Sequence, residues 1–431
     1  MSACVTKCLL LLTIFLLAGC AVNPVTGRQE LALVAVSTQE EIELGQKTFP
    51  QVLQKMGGRF QDPELDQYLQ RIGLQLARVS HRPELPYQFK IVNDSAPNAF
   101  ALPGGQIAIS RGLLVAIDNE AQLASVIGHE IGHVTARHAV QGMQRGTMLG
   151  LGLSVLSGAT SNSSYGELAQ KAGQLAASLI DNTYSRDQES ESDRLGIDYM
   201  AKAGYNPLGA AQLQAFFYTQ IEKGADPNWL TGLFRTHPFS KERMIANERY
   251  VRSRYAEELK TAPFYREEFQ QATLRARQLE PGYEMYEQAR KQEAKGDLRG
   301  AISTYLNAAA LAPEQPLIMT GLGMAYLKAD DLNSARHHLS RAVSLDPRYY
   351  QSRVGLGYIY LEEGRTDLAV THLQVAMELL PTEQGAFLLA EGFVKQGKKQ
   401  QAYELYRQVA KADPNGQLGK AAAARALALG Q

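Results

Sequence analysis

Cysteine is almost missing from this sequence, and the few copies present are confined to one end. The chain has 431 residues and 3 cysteines, which are Cys4, Cys8 and Cys20. The rest of the chain therefore cannot contain a disulfide framework, a zinc–thiolate site or a cysteine nucleophile. A metal site after Cys20 has to use histidine and carboxylate side chains.

An excess of charge and a long apolar run are missing as well. The 44 Lys and Arg residues equal the 44 Asp and Glu residues in number, which argues against nucleic acid as the main partner. The apolar run from Leu9 to Ala18 is too short to cross about 30 Å of hydrocarbon as a helix. The remaining composition is typical of a globular protein, with 45% hydrophobic residues and a length that suggests two or three domains.

The short apolar run follows Lys7, as in a signal peptide. It ends in LAGC at 17–20, which resembles a bacterial lipobox. We therefore expect removal of residues 1–19 and lipidation of Cys20, whose several acyl chains would hold the protein stably on a membrane. Ala21 is not the Asp that retains such lipoproteins in the inner membrane, so the resemblance implies the periplasmic face of a Gram-negative outer membrane. The alternative is an ordinary signal peptide cut at small residues, with Cys20 incidental.

The C-terminal third repeats with a period of 34 residues. Small residues and prolines recur in phase, at Ala301, Ala335 and Ala369, at Ala308, Ala342 and Ala376, at Ala289, Gly323 and Gly357, and at Pro313, Pro347 and Pro381. This period resembles the tetratricopeptide repeat and predicts an all-α solenoid. The predicted units are 282–315, 316–349, 350–383 and a less regular 384–417, followed by a capping helix at 418–431. The stack could offer a groove to a partner protein, or the groove could pack against the rest of the chain.

Residues 119–140 have apolar positions at helical spacing and contain the sequence HEIGH. His129 and His133 are four residues apart, so both imidazoles can face one ion from the same side of a helix. Zinc accepts imidazole nitrogens, and Glu130 between them can reach a water held by the metal. The alternative is a pair of hydrogen-bonded core histidines. His138 lies about 180° from His129 on a continuous helix, so we expect it to support packing or a ligand rather than bind the metal.

A further protein ligand must come from another segment, and the best candidate is 184–196. Glu189 and Asp193 are four residues apart and share a helix face, whereas Glu191 is turned away by about 200°. A glutamate that faces inward can bind zinc, and a nearby aspartate can orient a histidine. A solvated acidic face is the alternative, and spacing alone does not decide between them.

Two motifs together, HEIGHVTARH and YSRDQESESDRLG, resemble the HtpX/Oma-type membrane-associated zinc metallopeptidases. NPVTG at 23–27 and NAFALPGGQIAISRGLL at 98–114 add to this likeness. The resemblance implies that Glu189 is the third zinc ligand and Asp193 a second catalytic acid, although Ser192 replaces the usual Ala. It also implies a role for His237 in the sequence RTHP, as a fourth ligand at rest or an oxyanion donor; a simple loop histidine is the alternative.

The resemblance implies a mainly α protein. Its α+β, zincin-type gluzincin domain with a small sheet would occupy 37–265, between a lipid-anchored linker at 20–36 and a linker helix at 266–281. Periplasmic family members with the same repeats would lack the lipobox, which is the main departure. The implied activity is zinc-dependent endopeptidase action, with one zinc per chain, on unfolded outer-membrane proteins. The implied partner of the repeats is the β-barrel assembly complex, and the alternative function is a periplasmic chaperone or assembly adaptor with a latent, self-inhibited zinc site.

Local patterns predict how a substrate could be held. Residues 62–79 suggest a helix capped by Asp62, and alternation around Phe89 suggests a strand. Two further strands flank the turn at 103–105, and an edge strand near zinc could bind an extended peptide through its main chain. The substrate-strand candidates are Asn98, Ala99 and Phe100. The glycine-rich segment 142–173 is either a mobile lid or an insertion packed permanently on the core.

Overall fold

The computed structural model describes residues 20–22, 25, 27, 29–31, 36–145, 184–222, 237 and 239–430. No helix within these residues is long and apolar enough to cross a membrane. The predicted signal peptide and most of segment 142–173 lie outside the described residues, and so does the side chain of Cys20.

The N-terminal half combines helices with two small sheets, as the fold class predicts. Its strands are β1 (Cys20–Val22), β2 (Gln29–Leu31), β3 (Gln88–Val92), β4 (Ala99–Leu102) and β5 (Gln106–Ser110). Its helices are α1 (Thr38–Lys55), α2 (Pro63–Arg78), α3 (Arg111–Ala116), α4 (Glu120–Thr135), α5 (His138–Arg145), α6 (Arg186–Lys202), α7 (Leu208–Glu222), α8 (Lys241–Arg254), α9 (Glu258–Thr261) and α10 (Arg266–Ala272).

The three-stranded sheet has the order β3-β5-β4. Strand β5 is buried along its whole length and pairs in parallel with β3 and antiparallel with β4. A turn at Pro103–Gly105 joins β4 to β5, which confirms the predicted pair of strands. Gly104 has φ 75°, and a Cβ there would lie 2.5 Å from the Cα of Ile42 in α1. Glycine thus satisfies both the turn and the close approach of α1.

Helix starts follow their capping signals. Asp62 caps α2 by accepting a hydrogen bond from the Leu65 amide, as predicted. Asn119 caps α4 in the same way through the Gln122 amide. Ser185 forms a capping box with Gln188 at the start of α6. These caps set where the helices that carry the candidate site begin.

The prediction of one helix over 119–140 is wrong at its C-terminal end. Helix α4 stops at Thr135, Arg137 adopts φ 59°, and α5 begins at His138. The cause is a tertiary contact, since the Arg137 guanidinium pairs with Glu41 of α1 and donates to the carbonyl of Val36. Glu41 is 1% exposed, and a buried carboxylate requires such partners. These contacts accompany the left-handed backbone of Arg137 and offset part of its cost.

The C-terminal half is a stack of antiparallel helix pairs. The helices are α11 (Leu274–Ala294), α12 (Leu298–Leu311), α13 (Pro316–Lys328), α14 (Leu332–Leu345), α15 (Tyr350–Glu362), α16 (Thr366–Leu379), α17 (Glu383–Lys395), α18 (Lys399–Ala412) and α19 (Gln417–Leu429). In-phase small residues lie where partner helices touch: a Cβ at Gly357 would be 2.4 Å from Leu373 Cγ. The all-helical repeats of the predicted fold class are confirmed. Helix α11 runs without interruption across the boundary predicted at 281/282.

The two halves share one hydrophobic core. Arg111, which is fully buried, pairs with Glu280 and lies 3.6 Å from the ring centre of Tyr283. Further along, the Gln54 amide at the end of α1 donates to Arg348 O at 2.6 Å and accepts from Tyr350 N at 2.9 Å. The repeats therefore pack against this chain over part of their surface. Beside these contacts a polar cleft with about 1320 Å³ of empty space stays open between the halves.

Candidate active site

Two helices, α4 and α6, cross at very short range and carry the candidate site. A Cβ at Gly128 would lie 2.8 Å from the Gly196 carbonyl oxygen, and one at Gly132 would lie 3.0 Å from the Ser192 Cα. Only glycine at these positions lets the backbones meet so closely. The contact brings the HEIGH face of α4 against Glu189 on α6, which spacing in the sequence could not establish.

Four side chains converge on one point between these helices. His129, His133, Glu189 and His237 each offer one possible ligand atom, and the four atoms lie within 4.8 Å of one another. His129 Nε2 is 3.0 Å from His133 Nε2 and 3.3 Å from His237 Nδ1. Glu189 Oε1 is 3.3 Å from His133 Nε2 and 2.9 Å from His237 Nδ1.

These separations fit a tetrahedral metal. With zinc–nitrogen distances near 2.1 Å, neighbouring ligand atoms are about 3.4 Å apart. Three imidazole nitrogens and one carboxylate oxygen also form a donor set that suits zinc. In addition, Glu130 Oε2 and His237 Nε2 are buried beside the cluster without a hydrogen-bond partner among the described residues. Buried polar atoms rarely lack partners, so this space suits a metal and a water.

The outer nitrogen of His129 is held by Asp193. His129 Nδ1 lies 2.9 Å from Asp193 Oδ1. Arg243 donates to both Asp193 oxygens, at 2.8 and 2.9 Å, and Asn247 donates to Oδ2 at 2.7 Å. Burial alone would raise the pKa of Asp193, but His129 and Arg243 outweigh it and hold the pKa below its usual value. Asp193 is thus an ionised acceptor that orients His129.

The outer nitrogen of His133 faces His138. The two Nδ1 atoms are 2.9 Å apart, and His138 Nε2 is 3.0 Å from Glu191 Oε2. Tyr184 stacks on the His133 ring with a centroid distance of 3.9 Å. His138 is not among the four candidate ligands, as the sequence predicted. That prediction assumed one continuous helix through His138, whereas α4 ends at Thr135. Glu191 thus contacts His138 and is not one of the four candidate ligands.

Burial and charge act differently on the remaining acidic and basic groups. Burial raises the pKa of Glu130, whose side chain is 1% exposed. Burial would also raise the pKa of Glu189, but His237 and His133 beside it hold that pKa well below its usual range. For His237 burial acts to lower the pKa, yet Glu189 and Glu130 outweigh burial and raise it to about 9. Glu130 is consequently the carboxylate of the site best suited to take up a proton.

A cleft with about 620 Å³ of empty space opens onto His129, Glu130 and His237. Its apolar lining includes Val126, Ile197, Ala210, Leu213 and Phe217. The cleft is separate from the polar cleft beside the repeats, since the two share no lining residue among those described.

The predicted substrate strand lies at the edge of the sheet. Asn98, Ala99 and Phe100 are all buried, and Asn98 Oδ1 has no hydrogen-bond partner among the described residues. The next two residues of β4, Ala101 and Leu102, border a small cavity beside His133 and Tyr184. The C-terminal end of β4 thus lies beside His133, one of the four candidate ligands. Substrate binding by this strand stays a prediction.

The sequence did not predict the residues that contact Asp193 and His133 from outside the group of candidate ligands. Arg243 and Asn247 follow the end of the RTHP segment by five and nine residues, and the packing of α8 against α6 brings them to Asp193. Tyr184 directly precedes the α6 cap, and nothing in its local pattern marks it for the site. The one available signal was an Arg and an Asn on the same face of α8, four residues apart.

Helix α4 with its HEIGH sequence, a glutamate from α6 and a buried carboxylate beside them define the metallopeptidase class. Residues 63–250 match Peptidase family M48, and residues 320–383 and 385–416 match tetratricopeptide repeats. The metallopeptidase motifs and the repeats thus match these two families over separate parts of the chain, which confirms the resemblance seen in the sequence.

Several known proteases are similar in sequence to part of this chain. The chain is 30% identical over 190 residues to the Beta-barrel assembly-enhancing protease of Escherichia coli (strain K12), covering 42% of this chain and 38% of that protein. It is 27% identical over 296 residues to the Putative beta-barrel assembly-enhancing protease of Vibrio cholerae, covering 66% and 56%. It is 33% identical over 162 residues to Metalloprotease LoiP of Escherichia coli, covering 37% and 60%. The match thus spans well under two thirds of the first of these relatives.

Proposed function

We propose that this protein is a zinc-dependent endopeptidase that degrades misfolded or stalled proteins of the bacterial envelope, in outer-membrane protein assembly and quality control. The observation that carries the proposal is the convergence of His129, His133 and Glu189 beside the buried Glu130. The names of the relatives support the setting in β-barrel assembly. Unfolded outer-membrane proteins are the proposed substrates, and the repeats are the proposed contact to the β-barrel assembly complex.

In the proposed mechanism His129, His133 and Glu189 hold the zinc. When bound, zinc supplies Lewis acidity towards the carbonyl and lowers the pKa of a coordinated water towards about 7. Glu130 takes a proton from the attacking water and passes it to the leaving nitrogen. The raised pKa of Glu130 suits both steps. Asp193, itself held by Arg243, keeps the His129 ring in place.

His237 has the geometry of a fourth ligand at rest. Its Nδ1 lies 3.3 Å from His129 Nε2 and 2.9 Å from Glu189 Oε1, within the same cluster. Bound there, it would take the position that a catalytic site keeps for water or substrate. We propose that His237 leaves when substrate enters the cleft; donation to the oxyanion afterwards is the other role open to it.

The second candidate function is a periplasmic chaperone or assembly adaptor with a latent zinc site. The closed arrangement around His237 favours it, because a four-ligand site without an open position is typical of structural zinc. The buried, unpaired Oε2 of Glu130 favours an enzyme, because a structural site needs no base. Anchoring through lipid on Cys20, with the protein on the periplasmic side of the outer membrane, belongs to both versions of the proposal.

Replacement of Glu130 by Gln tests the proposed function. Loss of the base should lower proteolysis of an unfolded outer-membrane protein by about 10²–10⁴-fold. Zinc content and circular dichroism should stay at wild-type values, because glutamine has nearly the same shape and Glu130 is not a proposed ligand. Equal degradation by wild type and Glu130→Gln would overturn the mechanism. Undiminished suppression of substrate aggregation without any proteolysis by either form would favour the chaperone.

A further inference from the structure

The two histidines of the HEIGH sequence are supported in different ways. His129 Nδ1 contacts the carboxylate of Asp193 directly, at 2.9 Å. His133 Nδ1 instead faces a second imidazole, that of His138, at 2.9 Å, and His138 Nε2 faces Glu191 at 3.0 Å. His138 is fully buried, and His133 is 2% exposed.

The order of these contacts determines where the protons lie. A carboxylate oxygen accepts hydrogen bonds, so the 3.0 Å contact makes His138 the donor to Glu191 through Nε2–H. Two Nδ1 atoms at 2.9 Å share one proton, and a His133 ring that binds a metal through Nε2 keeps its own proton on Nδ1, so His138 Nδ1 is the acceptor. His133 must then donate from Nδ1–H. Its Nε2 keeps a free lone pair, and this is the atom that faces His129 and Glu189.

We propose that Glu191 and His138 are positioning residues that select the Nδ1–H tautomer of His133 and aim its Nε2 lone pair at the metal. This inference rests on the metal site of the proposed function. Groups that hold a metal-binding histidine from behind typically change metal affinity by about 10–100-fold when removed. Glu191 thus contributes to metal binding through His138, without being one of the four candidate ligands.

The chain break at Arg137 makes this contact possible. His138 would point to the opposite side of α4 if the helix continued through it. The left-handed backbone of Arg137, held by Glu41, ends α4 and turns the His138 ring back onto His133. The Ser192 hydroxyl lies 3.4 Å from the same nitrogen, His138 Nδ1. The left-handed backbone of Arg137 therefore places His138 beside His133.

Zinc affinity measured by competition with a chelator tests the proposal in the full chain. Glu191→Leu removes the acceptor and should weaken zinc binding by about 10–100-fold. Glu191→Gln keeps a carbonyl acceptor for His138 Nε2–H and should stay within about threefold of wild type. The matched control is Asp187→Asn, an exposed carboxylate on the same helix, which should bind zinc as wild type does. Unchanged affinity in a folded Glu191→Leu variant would overturn the proposal.

A second measurement does not depend on any variant. Nitrogen-15 spectra of the metal-free wild type should show His133 protonated on Nδ1 and His138 on Nε2. A His133 ring protonated on Nε2 would overturn the proposal even if Glu191→Leu fails to fold. Failure of the proposed function is distinguishable, because wild type would then bind no zinc while the tautomers of the metal-free chain could still be read.

Discussion

The metallopeptidase half, which is the described part of residues 20–281, and the repeat half, residues 282–430, bury very different side chains. Within the described part of residues 282–430, Asp346 alone is both charged and buried. The metallopeptidase half buries a whole set of charged or ionisable groups, namely Glu41, Asp62, Arg82, Arg111, Glu120, Glu130, His133, His138, Glu189, Asp193 and His237. Buried ion pairs often add little stability compared with apolar packing, so their concentration here marks the part of the fold shaped by chemistry.

The repeat half has no comparable set of buried charged groups among its described residues, and its packing is regular. Each helix pair contacts its neighbours, and small residues recur at helix contacts such as that of Gly357 with Leu373. Stability in such an array is roughly a sum of units and nearest-neighbour interfaces. In the metallopeptidase half, by contrast, a single buried charge depends on partners that are distant in the chain. Three substitutions test this difference, one in each half and one at their junction.

The largest effect is expected from Glu189→Ala. Metal content should fall from one per chain to near zero, and proteolysis should be lost, because the cluster loses the carboxylate that balances its imidazoles. Metal analysis by mass spectrometry measures the first effect, and circular dichroism should show the repeat helices intact. Asp187→Ala on the exposed side of the same helix is the control. A Glu189→Ala protein with full metal content would remove Glu189 from the ligand set.

Arg111→Met should destabilise the junction of the two halves by about 3–5 kcal/mol, because it leaves Glu280 and Asn93 without their buried partner. Calorimetry should show the repeats and the metallopeptidase half unfolding in separate transitions, because the core that they share is weakened. Arg266→Met is the control: its ion pair with Asp118 is exposed, and such pairs contribute about 0–1 kcal/mol. Equal shifts for the two variants would show that the buried junction has no special role.

The smallest effect is expected from Gly357→Ala in the repeats. The added methyl would meet Leu373 Cγ at 2.4 Å, and such overpacking costs about 1–3 kcal/mol. Part of this loss is offset by the better helix propensity of alanine. Thermal unfolding should show the loss, while zinc content stays unchanged. Gly430→Ala, whose nearest neighbouring atom is 3.5 Å away, should not lower stability. A drop in zinc content for Gly357→Ala would show that this helix contact in the repeats also supports the metal site, contrary to the expectation.

Local patterns predicted a large part of this protein correctly. The 34-residue period predicted the helix pairs, since repeat contacts are made between segments close in sequence. Asp62 marked the start of α2, alternation around Phe89 marked β3, and the Pro-Gly-Gly turn marked the strands β4 and β5. The spacing of His129 and His133 placed both rings on one face of α4. In each case the determining interaction spans a few residues, or recurs with a fixed period.

Sequence alone thus determined the classes of the two halves and the core of the metal motif. Tertiary structure decided the rest: Gly128 against Gly196 placed Glu189 at the cluster, and the Arg137–Glu41 ion pair ended α4 early enough to bring His138 behind His133. It also turned part of the repeat stack towards Gln54 of α1. The physical reason is the same throughout, because burying a charge or packing two backbones joins residues that no periodicity connects.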